Sequence, residues 1–295
     1  METPINTKSW YDKHYKTLLV FPLLLTILSL IYIGYFYSQH NDFLNKDVSL
    51  SGGTTITVQG DLDAKTIKDG LQDQFSDVSV RKLTDFRTGK TLASIIESSA
   101  EPTELKAAVE KVLGYALTDS NSSVEFSGPT LGDNFYKQLI IALIISFVLM
   151  SIVIFILFRS FVPSIAVIFA AFADIVMPLA LLDFLGMKIS VAGIAAFLML
   201  IGYSVDTDIL LTNRALRKGE GTLNSRIHGA FKTGILMNIT ALGSVLPAFV
   251  FVTGLPDSFR QIFLILALGL CADIINTWLT NAGIIKWYCD KKGIN

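Results

Sequence analysis

Charged side chains are scarce in this sequence, and their scarcity limits what the protein can be. Asp, Glu, Lys and Arg make up 17% of the 295 residues, hydrophobic residues make up 52%, and the formal net charge is −1. So little positive charge does not create the electrostatic surface of a nucleic-acid binder. The chain is also more apolar than an ordinary soluble domain. The composition therefore indicates a membrane protein with no nucleic-acid partner.

Cysteine and histidine are also rare, with two and three residues. Cys271 lies inside an apolar run and Cys289 follows its end, a spacing that predicts neither a structural disulfide nor a metal site. The sequence contains no phosphate-binding P-loop, no Gly-x-Ser-x-Gly motif and no His-Glu-x-x-His motif. We therefore expect no catalytic residue, no metal and no cofactor, and predict that the protein is not an enzyme.

Long apolar stretches are the main feature that the sequence does have. A helix needs about 20 predominantly apolar residues to cross a bilayer, and six stretches meet this requirement. They are residues 17–38, 136–158, 161–183, 189–212, 232–253 and 261–285. The first is too long for a cleavable signal peptide, follows a polar segment and lacks a small-residue cleavage site. We predict six spans in a multi-pass protein of the plasma membrane.

Basic residues in the short segments between spans predict the orientation, because such residues are retained on the cytoplasmic side. One side carries Lys8, Lys13, Lys16, Arg159, Arg214, Arg217, Lys218, Arg226, Lys286, Lys291 and Lys292. The short segments on the other side carry only Lys188 and Arg260. Both ends of the chain, residues 1–16 and 286–295, are therefore predicted to be cytoplasmic, and residues 39–135 extracytoplasmic.

Residues 39–135 are polar and are predicted to form a domain rather than a spacer loop. Strands are predicted from alternating side chains at 54–58, 78–83, 91–96 and 124–126, and helices from apolar stripes at 62–75 and 102–113. The order β-α-β-β-α-β is that of a ferredoxin-like split βαβ unit. The predicted fold class is an α-helical membrane protein of six spans, with an α+β ferredoxin-like extracytoplasmic domain between spans 1 and 2.

Aspartates inside the predicted spans are the strongest functional signal, because an ionised carboxylate in hydrocarbon costs about 2.5–3.5 kcal/mol on insertion scales. At 1.5 Å per residue, Asp174 and Asp273 fall near the membrane midplane. Either could be a titrating group or a partner at an interface with another subunit. Asp206 lies about 8 Å nearer the cytoplasm, with Asn238 at a similar depth. Asp206 is interpreted as a charge-carrying group or as part of a hydrogen-bond network between spans 4, 5 and 6.

Asp208 is separated from Asp206 by about 200° around the helix, so the two cannot share one face. Because Asp208 is also nearer the end of span 4, we expect it at the cytoplasmic interface in contact with water. Lys232, at the start of span 5, is interpreted as a residue retained on the cytoplasmic side.

Three short motifs carry a resemblance to a known family. Gly52 and Gly53 belong to the run Val48-Ser49-Leu50-Ser51-Gly52-Gly53-Thr54, and Gly128 and Pro129 to Ser127-Gly128-Pro129-Thr130-Leu131-Gly132. In span 4, Gly202-Tyr203-Ser204 is followed by Asp206, Asp208 and Arg214. These runs are similar to motifs of the SecD/SecF family of protein-export membrane proteins, in an archaeal-like form. One external domain and five closely spaced spans also resemble half a transporter of the resistance–nodulation–division (RND) superfamily.

The resemblance implies an accessory subunit of the Sec pathway that is not an enzyme. Its implied partners are a SecD-like membrane protein, the Sec translocon channel and the translocating polypeptide. It also implies that the proton gradient drives export through polar residues of an RND-type bundle. The candidates for this charge relay are Asp206, Asp273, Asp174, Asn238 and Lys232. Lys232 stands where bacterial members have an arginine.

Two other functions are compatible with a bundle that carries buried acids. An RND-type exporter of small molecules or lipids is disfavoured, because one short external domain leaves little wall for a substrate cavity. An intramembrane aspartyl protease is disfavoured because the sequence has neither a Tyr-Asp and Gly-x-Gly-Asp pair nor another catalytic motif.

Overall fold

The structure, a computed structural model, describes residues 10–85, 88–217, 221–251 and 257–294. Lys8 and Lys218, used above for the orientation, and residues 252–253 of predicted span 5 lie outside this part. The described elements are α1 (Trp10–His40), α2 (Val48–Ser51), β1 (Gly53–Gln59), α3 (Ala64–Gln72), β2 (Ser79–Thr84), β3 (Thr91–Ser98), α4 (Pro102–Leu113), β4 (Ser122–Ser127), α5 (Pro129–Phe158), α6 (Phe161–Phe184), α7 (Val191–Leu216), α8 (Leu223–Phe251), α9 (Asp257–Ile275), a π-helical turn (Asn276–Asn281) and α10 (Ala282–Lys292).

Six helical stretches of the described chain are long and apolar enough to cross a membrane, which confirms the predicted number. The sixth is continuous through α9, the π-helical turn and α10. About half or more of the apolar window is buried in α6 (61%), α7 (56%) and the sixth stretch (56%), compared with 11% in α1, 6% in α5 and 11% in α8. Helices α6 and α7 and the sixth stretch therefore form the centre of the described bundle. Polar side chains are shielded from lipid where these three pack against one another.

The α+β domain has the predicted ferredoxin-like topology. Its four antiparallel strands are in the order β2-β3-β1-β4, so the hairpin β2-β3 lies beside β1 and the last strand forms the other edge. Ile56 of β1 is opposite Ile96 of β3, and both are fully buried with Leu71 of α3 and Leu105 of α4. The two helices therefore cover one face of the sheet. Glu97, which follows Ile96 in β3, points to the other face of the sheet because successive side chains of a strand alternate.

Several helices extend beyond the apolar stretches that predicted them. α5 begins at Pro129 rather than 136, and α8 at Leu223 rather than 232. The sixth span continues past residue 285 to Lys292, and Lys286 is buried with its Nζ donating to Asn224 Oδ1 at 2.7 Å. Hydrophobicity marks where lipid begins and ends. Backbone hydrogen bonding carries a helix further into the polar region.

The two glycine motifs, at residues 52–53 and 128–132, meet at one junction. Gly52 and Gly53 have φ values of +84° and +128°, a region that favours glycine, and a Cβ on Gly53 would lie 2.4 Å from the Ser98 carbonyl oxygen. Gly132, in the first turns of α5, packs against the backbone of the other motif. A Cβ there would lie 2.8 Å from Gly52 N and 3.0 Å from Leu50 O. These glycines let the start of the domain contact the start of span 2.

We expect Gly132→Ala to destabilise the protein by about 1–3 kcal/mol, because backbone atoms would have to move to accept the methyl group. Gly202→Ala is the matched control, since no atom lies within 4 Å of its added Cβ and alanine favours a helix interior. Denaturant unfolding of the purified chain in detergent measures both. Equal stability of the two variants would contradict the close packing at Gly132.

Candidate functional site

Three buried carboxylates meet in the centre of the bundle. Asp174 on α6, Asp208 on α7 and Asp273 on α9 each have 0% of their surface exposed. One carboxylate oxygen from each lies within 4.8 Å of the others. We call these three residues the carboxylate cluster. Each comes from a different central helix, so the three carboxylates are close to one another only because these helices pack together.

Asp174 and Asp273 accept hydrogen bonds at both carboxylate oxygens. Asp174 accepts from the Ser204 hydroxyl at Oδ2 and from Asn276 Nδ2 at Oδ1, the latter at 2.6 Å. The donors to Asp273 are Thr207 Oγ1 at 2.9 and 3.0 Å, Thr277 Oγ1 at 2.8 Å and Asn238 Nδ2 at 2.7 Å. Every carboxylate oxygen of these two residues therefore has at least one hydrogen-bond donor.

Asp208 is bound differently. Its Oδ1 accepts a hydrogen bond from Asn281 Nδ2 at 2.7 Å, whereas its Oδ2 is buried without a hydrogen-bond partner. The hydroxyl of the neighbouring Thr277 donates to Asp273 instead. Asp208 is therefore the member of the cluster with an oxygen open to a proton or another positive species.

The described residues provide no basic side chain to neutralise the cluster. None of their lysines, arginines or histidines forms an ion pair with Asp174, Asp208 or Asp273. Lys232 is exposed. Arg214 donates through Nη1 to Gly229 O at 2.6 Å and to Thr233 Oγ1 at 3.0 Å, which ties α7 to α8. Adjacent negative charges in an apolar interior are costly unless they are protonated or paired with positive charge.

The predicted relay residues divide into two groups. Asp174, Asp273 and Asn238 are brought together, and Ser204 from the span-4 motif joins them. Asp206, Gly202, Tyr203 and Lys232 lie on exposed faces. As the helix geometry predicted, Asp206 and Asp208 lie on different faces of α7. Asp208 faces inward and is fully buried, so its predicted contact with water is wrong.

Sequence reasoning missed the polar face of the sixth span. Asp273, Asn276, Thr277, Thr280 and Asn281 are all fully buried and recur at helical spacing. A polar stripe on a membrane helix predicts a polar interior, and this was the available signal. The π-helical turn at Asn276–Asn281 could not be predicted from spacing. Such turns are frequent at functional sites, and this one carries three of the side chains that contact the cluster.

The loop between α6 and α7, residues 185–190, ties together the helices that carry the cluster. Gln261 on α9 accepts hydrogen bonds from the backbone N of Ser190 at 2.8 Å and from its hydroxyl at 2.5 Å. Gln261 Nε2 donates to the Lys188 carbonyl at 2.5 Å. All three cluster-bearing helices therefore meet at this loop, on the side of the α+β domain.

The same loop contacts the α+β domain in two places. Lys188 Nζ lies 2.8 Å from Glu97 Oε2, and Arg81 Nη2 lies 2.5 Å from Glu97 Oε1. The second contact is made by backbone: Ile189 N donates to Asn45 O at 2.6 Å, and Asp47 N donates to Ile189 O at 3.1 Å. The α6–α7 loop is thus the structural connection between the carboxylate cluster and strand β3.

The fold and the site define a class of protein. Its members are multi-pass membrane proteins with a ferredoxin-like domain after the first span and acids buried between the central helices. The chain belongs to the SecD/SecF family. The model for the C-terminal region of the SecD/SecF protein-export membrane proteins matches residues 107–291, from the second helix of the α+β domain through the last span.

Archaeal relatives match over nearly the whole chain. The protein-export membrane protein SecF of Methanolacinia petrolearia is 36% identical over 280 residues, which are 94% of this chain and 95% of that protein. SecF of Pyrococcus furiosus is 36% identical over 284 residues, covering 94% and 92%. SecF of Haloferax volcanii is 34% identical over 272 residues, covering 90% of each.

A solved structure confirms the fold. The crystal structure of SecDF from Thermus thermophilus, described as a translocon-associated membrane protein, matches 98% of this chain with a TM-score of 0.77 and 16% identity. A second SecDF structure, in a super-membrane-facing form, matches 95% of this chain with a TM-score of 0.61. This chain spans 40% and 39% of those two chains.

Proposed function

We propose that this protein is an accessory subunit of protein export that pairs with a SecD-like membrane protein, acts at the Sec translocon channel and promotes outward movement of polypeptide. The observation that carries the proposal is the combination of coverage values. The archaeal relatives named SecF are matched end to end, whereas the solved SecDF chain is matched over only 40% of its length. A separate SecD-like subunit would supply the rest.

The proposed orientation places both ends of the chain in the cytoplasm and the α+β domain outside. The bias of basic residues supports it, because the described cytoplasmic candidates Arg159, Arg214, Arg217 and Arg226 all lie at the end of the bundle opposite the domain. In this orientation the sheet lies at the extracytoplasmic surface of the membrane, where it can contact polypeptide that emerges from the channel.

We infer that the protein changes conformation during export and that charge movement at the carboxylate cluster drives this change. The proton gradient is the proposed source of the moving charge. Adding a proton to Asp208 removes a negative charge from between three helices and would favour a different packing. We therefore propose Asp208, in place of Asp206, as the relay residue of span 4, together with Asp174, Asp273 and Asn238. The α6–α7 loop supports transmission to the outer domain, because it contacts Gln261 of α9 and Glu97 of β3.

Affinity purification from native membranes in mild detergent tests the pairing. The tagged chain should recover a SecD-like protein in comparable amount, whereas an equally abundant tagged membrane protein of another family should not. Depletion of the chain should also slow the appearance of secreted proteins outside the cell. Recovery of this chain alone as an oligomer, with export unaffected, would contradict the proposal and favour an RND-type exporter of small molecules or lipids.

A further inference from the structure

We propose that a basic cavity, at the end of the bundle that carries the α+β domain, binds the phosphate headgroup of an anionic lipid. The cavity has a volume of about 480 Å³ and lies between strand β2, the α6–α7 loop, the end of α8 and the start of α9. It shares no residue with the carboxylate cluster. Binding of the lipid is a property of the chain itself and does not depend on the export function.

The first argument concerns the charge of the cavity wall. Four basic residues line the cavity: Arg81, Lys82, Lys188 and Arg260. None of the described lining residues is acidic. Like charges that surround one enclosed space repel one another, and an anion placed between them offsets this cost. The species that fits the cavity is therefore negatively charged.

The acids next to these residues offset only part of their charge. One carboxylate, that of Glu97, is shared between Arg81 and Lys188, at 2.5 and 2.8 Å. Lys82 pairs with Asp61 at 2.9 Å, but Asp61 does not line the cavity and is 64% exposed. These two carboxylates carry fewer charges than the three basic residues that they contact. The wall therefore stays positive even before Arg260 is considered.

Arg260 provides hydrogen-bond donors for the anion. No described Asp or Glu side chain forms an ion pair with it. Its Nη1 and Nη2 both donate to the Thr84 carbonyl oxygen, over a long distance of 3.4 Å. The guanidinium lies 5.7 Å from the centre of the Phe249 ring. A guanidinium in this position presents a planar set of donors, which suits the oxygens of a phosphate group.

The position of the cavity favours a lipid over a soluble anion. Arg260 is the second residue of the sixth membrane-length stretch, and Phe249 is the last residue but one of the fifth. Leu264, which also lines the cavity, lies one helical turn further into the sixth stretch. Basic side chains thus lie at the membrane boundary beside apolar side chains of the spans. This arrangement matches a lipid, whose phosphate lies at the boundary and whose chains lie in hydrocarbon.

The distribution of basic residues along the chain supports the same site independently. Lys188 and Arg260 are the two basic residues in the short segments on this side of the bundle. Retention on the cytoplasmic side explains the other basic residues of the short segments but not these two. They are far apart in the sequence, yet both line this one cavity. Contact with the same headgroup gives them a common role.

A lipid titration of the full chain in mild detergent tests the proposal, at fixed pH and fixed ionic strength. Short-chain phosphatidylglycerol is the anionic lipid, phosphatidylcholine with the same chains is the zwitterionic control, and inorganic phosphate represents the soluble anion. A bound headgroup would connect β2 to the start of α9, so it should raise the melting temperature. We expect a saturable rise with phosphatidylglycerol, no rise with phosphatidylcholine, and a rise with inorganic phosphate only at much higher concentration. Native mass spectrometry counts the lipids that stay bound.

Variants identify the site. Arg260→Gln should raise the half-saturating concentration of phosphatidylglycerol about tenfold, the effect expected when one charged hydrogen bond is lost. Lys82→Gln changes the wall on the side of the domain and should also weaken binding. Its ion pair is exposed, so this variant should fold. Lys137→Gln is the control, because Lys137 is exposed near the start of α5, at the same end of the bundle, and does not line the cavity. Its titration should be unchanged.

Three outcomes would overturn the proposal. The first is an equal response to the anionic and the zwitterionic lipid, and the second is the same half-saturating concentration in Arg260→Gln, Lys82→Gln and Lys137→Gln. The third is saturation by inorganic phosphate without a response to the lipid, which would assign the cavity to a soluble anion. Failure to bind lipid leaves the purification of a SecD-like partner unaffected, so the two proposals fail separately.

Discussion

Replacing Asp208 by asparagine is expected to reduce export to the level of a strain that lacks the protein. Asparagine has nearly the same volume, and its oxygen can still accept the hydrogen bond from Asn281, so the bundle should assemble. What the variant loses is the carboxylate with an unpartnered oxygen at the meeting point of α6, α7 and α9. Pulse–chase measurement of a secreted reporter, with the membrane level of the variant checked by immunoblot, gives the result.

Asp206→Asn is the matched control for this prediction, because it changes the same chemical group on the same helix. Asp206 is exposed and belongs to no hydrogen-bonded network of the cluster, so its variant should export at the normal rate. Loss of export in Asp206→Asn with normal export in Asp208→Asn would reverse the assignment. The relay would then lie on the outer face of α7, against a partner subunit.

Replacing Glu97 by glutamine is expected to lower the free energy of unfolding by about 3 kcal/mol. Removing one member of a buried ion pair typically costs 3–5 kcal/mol, and the lower end applies because Arg81 and Lys188 retain 35% and 26% of their side-chain exposure. Glu97 itself is 2% exposed and joins strand β3 to the α6–α7 loop. Denaturant unfolding of the purified chain in detergent measures the effect.

Asp61→Asn is the control for the ion pair. Asp61 pairs with Lys82 at 2.9 Å, but its side chain is 64% exposed, and exposed ion pairs contribute little to stability. A loss in Asp61→Asn as large as that in Glu97→Gln would indicate a general effect of charge rather than docking of the domain.

The Glu97 contribution should also depend on pH in a known direction. Burial alone would raise the pKa of Glu97, but Arg81 and Lys188 outweigh it and hold the pKa below its ordinary value. A lowered pKa means that the stabilisation is complete above the ordinary pKa of glutamate and is lost as pH falls through the lowered value. The difference in stability between the natural chain and Glu97→Gln should therefore be constant near neutral pH and shrink in acid.

Asp47 has the opposite dependence and must be separated from Glu97. Burial is the main reason that the pKa of Asp47 is raised to about 6. The folded protein therefore binds its proton more tightly than the unfolded chain does. This contribution to stability is present below the ordinary pKa of aspartate and is lost as pH rises to about 6. The charge of Glu97 contributes to the raised pKa of Asp47, so the Asp47 effect does not cancel in the difference between the natural chain and Glu97→Gln, and Asp47→Asn in both proteins is needed to remove it.

The number of spans and the topology of the α+β domain could be predicted from the sequence because both depend on local patterns. A run of about 20 apolar residues predicts a membrane-spanning helix by its length and composition alone. Alternation of the kind seen in Thr54–Val58 similarly has one buried face, and turn residues separate the strands. These signals lie within a few residues of one another. The helix ends, which depend on hydrogen bonding beyond the lipid, differed in the structure, and the short helix α2 and the π-helical turn were not predicted.

The inward direction of Asp208 could not be obtained in this way. Both sides of α7 carry an aspartate, Asp208 on one and Asp206 on the other, so this helix alone does not indicate which face meets protein. Helical spacing puts the side chains of Ser204, Thr207 and Asp208 on one face of α7. This face is the inner one because α6 and α9 pack there. The buried polar face of the sixth span, from Asp273 to Asn281, was the available cue for which helix lies opposite.

The sequence by itself determined that this is a six-span membrane protein with a ferredoxin-like domain, and that its SecD/SecF motifs are glycines and polar residues at defined positions. Tertiary structure decided which of them act together. It packed Gly132 against the backbone of Gly52 and paired Lys188 with Glu97. It also brought three aspartates from distant parts of the chain into one site. The reason is that helix formation and membrane insertion depend on neighbouring residues. The neutralisation of a buried charge depends on side chains that are close only after the helices have packed.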